Sequence, residues 1–99
     1  MSASPRFDGK RVLVTGAASG IGRETALAFA RQGADLVICD VDENGLELTA
    51  SAAHALGRRV FARKVDVSKR DAMRAFADEV HEDGGALDVL VNNAGVALA

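Results

Sequence analysis

The chain has no tyrosine and no tryptophan, and one cysteine and one proline among its 99 residues. With Cys39 alone, an intramolecular disulfide is impossible and a multi-cysteine metal site is excluded, so a reducing, cytoplasmic setting is the expectation. No apolar run approaches the roughly 20 residues that span a bilayer. Residues 1–6 hold no apolar core that would serve as a secretory signal. Neither sign of charge dominates: 12 Lys+Arg against 14 Asp+Glu leave a formal net charge of −2. That balance gives no electrostatic case for nucleic acid or for an anionic membrane surface as a partner. Nine of the basic residues are Arg, which reads as genomic composition rather than a binding signal. What is present, 48% hydrophobic and 26% charged residues, suits a globular domain and argues against wholesale disorder. The length supports one domain at most, with a modest core.

Punctuation along the chain divides it into alternating short apolar runs and helix-period segments. Arg11-Val12-Leu13-Val14-Thr15 is a buried-strand pattern ending in Gly16. A small-residue turn, Gly16-Ala17-Ala18-Ser19-Gly20-Ile21-Gly22, follows. Residues 21–32 place Ile21, Thr25, Ala28 and Phe29 on one helix face, and Gly33 stops them. Residues 35–40 form a second buried strand. Asp42 is the expected N-cap of a second helix carrying Leu46, Thr49, Ala50 and Ala53 on one side, closed by Gly57. Residues 60–65 are a weaker strand. Ser68 and Asp71 resemble a shortened capping box for a third helix, with Met73, Phe76, Ala77 and Val80 on one face and an end before Gly84-Gly85. Residues 87–91 are a fourth apolar run, ending in Asn92-Asn93-Ala94-Gly95. The order β-α-β-α-β-α-β predicts an α/β fold: a Rossmann-like, doubly wound parallel sheet with right-handed crossovers. Residues 1–9 read as a loose leader. Residues 10–99 read as the dinucleotide-binding portion of a longer single domain.

The glycine-rich turn sits after the first strand and opens the first helix, where unpaired N–H groups and the helix dipole favour a phosphate. Its spacing is Gly-x-x-x-Gly-x-Gly rather than Gly-x-Gly-x-x-Gly. The next strand ends in Asp40, twenty residues after Gly20, where a carboxylate accepts from an adenosine ribose diol. The alternative for the turn is tight geometry alone, and for Asp40 a solvated strand end.

Thr15-Gly16-Ala17-Ala18-Ser19-Gly20-Ile21-Gly22 and Asn92-Asn93-Ala94-Gly95 resemble the two signatures of the short-chain dehydrogenase/reductase family. Asp66-Val67, after the third strand, resembles the pair that flanks the adenine ring in that family. The resemblance runs from about Phe7 to Gly95. It implies a strand order of 3-2-1-4 with three helices. It also implies that Gly16, Ser19, Gly20, Ile21 and Gly22 bind pyrophosphate and ribose, and that Asp66 and Val67 take the adenine. Asn93, Ala94 and Gly95 would line the nicotinamide-side ribose, while Thr15 and Asn92 would brace strand ends. NADP-preferring members often carry a basic residue where this chain has Ser19 or Val41. A 2′-phosphate beside Asp40 would be repelled by about 1–4 kcal/mol at effective dielectrics of 80 to 20, so NAD is the expected cofactor. Arg23 begins a helical turn and is not expected to reach a phosphate.

The same resemblance implies hydride transfer between NAD(H) and an alcohol or carbonyl substrate, worked by a Tyr, a Lys and a Ser. No Tyr occurs in these 99 residues, so no catalytic residue is assigned, and the chain is expected to be the cofactor half of a longer, homo-oligomeric enzyme. Two other readings remain: a non-catalytic dinucleotide-binding fragment, and a methyltransferase of similar topology, against which residues 92–95 speak. Cys39 is expected to be a small buried hydrophobe. His54 and His81 fall on separate helices, with no spacing for a metal. Glu79, Glu82 and Asp83 read as a solvated helix end. An exposed fourth-strand edge is expected to leave the isolated 99-residue chain marginally stable or aggregation-prone.

Overall fold

The computed structural model describes residues 6–93. Strands β1 (Arg11–Thr15), β2 (Asp35–Asp40), β3 (Val60–Lys64) and β4 (Val89–Val91) alternate with helices α1 (Gly20–Arg31), α2 (Glu43–Ala55) and α3 (Arg70–Gly84). All strand pairs are parallel and the sheet order is β3-β2-β1-β4, the predicted topology. β1 and β2 are apolar along their whole length because both faces are covered. Val12, Val14, Leu36 and Ile38 point to one face and join Ala26 and Ala30 of α1 and Leu46 and Ala53 of α2. Leu13, Val37 and Cys39 point to the other and meet Phe76 and Val80 of α3. The parallel pairing places the C-terminal ends of all four strands, and the loops that leave them, along one edge of the sheet.

Helix α2 starts as the sequence predicts. Asp42 Oδ1 accepts from the Gly45 N–H at 3.0 Å, and Leu46, Thr49 and Ala53 are buried. Helix α1 is rotated from its expected phase. It buries Gly22, Ala26 and Ala30, whereas Ile21 is 75% exposed and Ala28 also faces outward. The row of small side chains lets the helix lie close to the sheet, which a row led by Ile21 and Phe29 would prevent.

Helix α3 departs from expectation at both ends. Its N-cap is Lys69, without a side-chain bond, because the Ser68 hydroxyl is turned back to Asp66 Oδ1 at 2.6 Å. Its last residue is Gly84, where a Cβ would come within 2.8 Å of the Arg11 guanidinium carbon. That guanidinium donates to the Val80 and Gly85 carbonyls at 3.0 and 3.1 Å and pairs with Asp83 at 2.8 Å. A cation on the final carbonyls closes the helix in place of solvent. Asp83 is therefore half of an ion pair and Glu79 approaches Arg63 at 3.4 Å, so the acidic helix end is not simply solvated. Ala77 is exposed.

Strand β3 stops at Lys64 and β4 begins at Val89, each one or two residues inside the predicted limits. The leader is not loose where it is described. Phe7 donates its N–H to the Gln32 carbonyl at 2.8 Å and packs edge-to-face on Phe29, with ring centroids 4.9 Å apart. Residues 1–5 lie outside the described residues. Among the described residues no helix is long and apolar enough to cross a membrane.

Candidate functional site

The C-terminal edge of the sheet gathers most of the residues that the sequence singles out. Gly16, Asp40, Asp66 and Val67 line one cleft of about 250 Å³, together with Val41, Val65 and Ser68. A larger cleft of about 380 Å³ lies at the opposite edge, at the first residues of β1, β2 and β3, lined by Arg11, His54, Arg58 and Arg59 among others. Two of its cations are already committed: Arg11 to α3 as above, and Arg58 to the Gly33 carbonyl at 2.9 Å.

The turn after β1 is held from two sides. Ala17 and Ala18 are buried beneath it. Ala17 donates to the Cys39 carbonyl at 3.2 Å, and Ala18 donates to Asp40 Oδ2 at 2.9 Å. Asp40 Oδ1 accepts from the Asp42 N–H at 3.0 Å. Each carboxylate oxygen accepts two bonds when ionised, so Asp40 ties the two loops together and retains capacity for a further donor. Gly20 takes φ +56 at the start of α1, a left-handed conformation that costs glycine nothing. At Gly22 the reason is space, since a Cβ there would lie 1.8 Å from the Gly16 carbonyl oxygen and 2.7 Å from Asn93 Nδ2.

Helix α1 opens without compensation. Ser19 at its N-cap makes no side-chain cap and the first turn carries no acidic residue. By contrast α2 has both the Asp42 cap and Glu43, and α3 has Asp71. The free N–H groups and the positive end of the α1 dipole thus stay available to an anion. Ser19, Gly20 and Ile21 are all exposed at this end.

Asp66 Oδ1 accepts from both the N–H and the hydroxyl of Ser68, at 3.0 and 2.6 Å. These two bonds, with Lys69 nearby, hold its carboxyl below the usual carboxylate range, so Asp66 is an anion with Oδ2 left for another donor. Ser68 is the cleft residue that the sequence reading missed, although Asp-x-Ser is an Asx-turn pattern that signals this bond. Cys39 behaves as expected: burial and the adjacent Asp40 charge push its thiol up to about 11, which leaves it protonated and unreactive at neutral pH.

Thr15 and Asn92 take the bracing roles. Thr15 Oγ1 donates to Asn92 Oδ1 at 3.0 Å and accepts from the Asn93 N–H at 2.8 Å, tying the end of β1 to the end of β4. Thr15→Val keeps the shape and removes the acceptor, leaving the Asn93 N–H unpaired. We expect a loss of about 1–3 kcal/mol, read as a fall in melting temperature of roughly 5–15 °C. Ala94 and Gly95 lie outside the described residues.

The sequence profile of the short chain dehydrogenase family matches residues 10–99. The chain belongs to that family. A probable oxidoreductase, EphD, of Mycobacterium tuberculosis (strain ATCC 25618 / H37Rv) is 50% identical over 93 residues, covering 94% of this chain and 16% of that protein. A short-chain dehydrogenase/reductase from Burkholderia phymatum, solved in complex with NAD, is 43% identical with a TM-score of 0.85, over 91% of this chain and 32% of that one. An actinorhodin polyketide ketoreductase solved with NADPH is 38% identical with a TM-score of 0.82, over 88% of this chain and 33% of that one. This short-chain dehydrogenase sequence therefore spans a minor part of the curated relatives and solved neighbours it resembles. Those neighbours include both an NAD and an NADPH complex, so family membership alone does not select the cofactor.

Proposed function

We propose that this chain is the cofactor-binding part of an NAD-dependent short-chain dehydrogenase/reductase, with residues 10–99 forming part of a longer single domain. The observation that carries the reading is the uncapped, acid-free N-terminus of α1 beside an Asp40 carboxylate that is hydrogen-bonded to the same turn. Gly16, Ser19, Gly20, Ile21 and Gly22 would hold the pyrophosphate and its ribose, chiefly through main-chain groups. Asp40 would accept from the adenosine ribose diol. Asp66 would accept from the adenine amino group and Val67 would donate its N–H. Asn93, with Ala94 and Gly95, would line the nicotinamide-side ribose. The residues present fit such a group: the Gly22 approach keeps the turn tight, and both carboxylates retain acceptor capacity.

When bound, the nicotinamide supplies or takes the hydride that an alcohol or carbonyl substrate gives up or receives. This chain's residues bind and orient it. The family resemblance implies that a Tyr, activated by a neighbouring Lys, moves the substrate proton near neutral pH, and no Tyr occurs in the sequence. The same absence favours, as a second reading, a dinucleotide-binding fragment without catalysis. The whole enzyme is proposed to be cytoplasmic and homo-oligomeric.

Calorimetric titration of the chain with NAD tests the cofactor reading. Saturable one-to-one binding, displaced by ADP, is the expected result, and no heat of binding to a chain that circular dichroism shows to be folded would overturn it. A parallel assay with NAD and a panel of alcohols should show no NADH absorbance from these 99 residues. Turnover would overturn the assignment of the proton-transfer groups to residues outside them.

A further inference from the structure

We propose that Arg23 aims the Ser19 N–H at the dinucleotide, acting from behind the glycine-rich turn rather than as a phosphate ligand. The inference rests on the dinucleotide reading above. Arg23, in the first turns of α1, is half-buried and directed at α2. Its Nε donates to Thr49 Oγ1 at 2.9 Å, and its Nη2 donates to the carbonyls of Ala18 and Gly45, the latter at 3.2 Å. The buried Thr49 hydroxyl donates in turn to the Ala17 carbonyl at 2.7 Å. One pair of side chains therefore holds two successive carbonyls of the turn. The approach depends on Gly45, where a Cβ would fall 2.6 Å from the Ala18 oxygen.

A trans peptide is planar and sends its C=O and the following N–H in opposite directions. With the Ala17 oxygen drawn toward Thr49, the Ala18 N–H must point away from α2, and it meets Asp40 Oδ2 at 2.9 Å. The same rule applies one peptide later. With the Ala18 oxygen drawn toward Arg23, the Ser19 N–H points away from α2 as well, and no described residue accepts from it. An N–H fixed in direction before the ligand arrives binds without the cost of ordering it. Arg23 makes no ion pair among the described residues, so its partners are neutral oxygens set in a fork. That geometry suits a guanidinium and not an ammonium.

The test separates aim from charge and from general stability. Arg23→Lys keeps the charge without the fork, Arg23→Met removes both, and Thr49→Val removes the relay to Ala17. Each variant of the full chain is titrated with ADP, which carries a pyrophosphate, and with adenosine, which does not. We expect ADP binding to weaken by roughly tenfold to a hundredfold in both Arg23 variants, with Arg23→Lys as impaired as Arg23→Met and adenosine binding unchanged within about twofold. Thr49→Val, which also frees the Ala18 N–H that anchors Asp40, instead weakens ADP and adenosine together. The Ser19 amide resonance should shift on ADP addition in the unsubstituted chain and lose that shift in the variants. Full ADP affinity in Arg23→Lys would reduce the role to charge. Equal loss of ADP and adenosine in the Arg23 variants would reduce it to holding the fold. Either result, or unaltered ADP binding in Arg23→Met, overturns the inference alone. Failure of the unsubstituted chain, folded by circular dichroism, to bind ADP or NAD overturns the dinucleotide reading and this inference with it.

Discussion

Replacing Gly22 by Ala will cost this protein about 3 kcal/mol or more of stability and at least a hundredfold in dinucleotide affinity. The added methyl would lie 1.8 Å from the Gly16 carbonyl oxygen and 2.7 Å from its carbon. Asn93 Nδ2, also at 2.7 Å, is the end of a side chain and can turn aside. The Gly16 carbonyl is backbone just past the end of a central strand paired on both sides, so relief requires moving the turn or pushing α1 off the sheet. Overpacking of a tight contact costs about 1–3 kcal/mol and more where backbone must shift, which for a chain of this size is a fall in melting temperature of roughly 10–20 °C. Gly20→Ala is the control within the same turn. A Cβ there meets nothing within 4 Å, and the penalty is confined to its φ of +56, about 1–2 kcal/mol. Thermal melts of the two variants, followed by NAD titration, give the comparison. Equal melting temperatures, or NAD affinity retained in Gly22→Ala, would show that the close approach is not what the turn requires.

The contrast between those two glycines marks how far a sequence can be read. That both stand in one turn opening a helix is visible from spacing alone. Which one is needed for its dihedral angle and which for contact with a carbonyl six residues earlier is a tertiary matter. The same division recurs through the fold. Asp42 could be recognised as a cap because its bond to the Gly45 N–H is local. Ser68 looked equally suited to capping α3, yet a nearer acceptor, Asp66, takes its hydroxyl. The phase of α1 was misread because hydropathy weights Ile21 and Phe29, whereas the helix is seated by Gly22, Ala26 and Ala30, whose value lies in their small size. Phe7 gave no periodic signal, since its partner Phe29 is brought to it by the packing of α1.

The candidate site was more legible than the helix faces. Gly16, Asp66 and Val67 each follow a strand and Asp40 ends one, and a parallel sheet brings the strand ends and the loops after them to one edge. Topology alone therefore assembled them. The supports behind the turn were not legible: Arg23 and Thr49 are 26 residues apart and meet only because α1 and α2 pack side by side. Arg23, weighed from sequence as a possible phosphate ligand, is engaged with Thr49 and two carbonyls.

Asp40→Asn should reduce the proposed preference for NAD over NADP by roughly fivefold or more. In the native chain Oδ2 accepts from the Ala18 N–H and Oδ1 from the Asp42 N–H. Those bonds fix the carboxylate at the end of β2 and leave its remaining lone pairs for the ribose diol proposed to bind there. A 2′-phosphate brought to the same place would set two anions against each other, at about 1–4 kcal/mol. The amide removes that repulsion. It also weakens the bond offered to the NAD diol, because a neutral acceptor is worth about half a charged one. One of the two local N–H donors must then face the amide NH₂, so part of the loss in NAD affinity will come from a loosened turn, and NADP binding will suffer that loss equally. The ratio of the two affinities cancels this common part and isolates the charge. Paired calorimetric titrations at two salt concentrations supply it. In the native protein the discrimination should shrink as salt rises, since the two anions are screened from each other, while in Asp40→Asn the ratio should be nearly independent of salt. A native ratio close to one, or a ratio unchanged by the substitution, would mean that Asp40 serves to tie the two loops and that cofactor choice is set elsewhere.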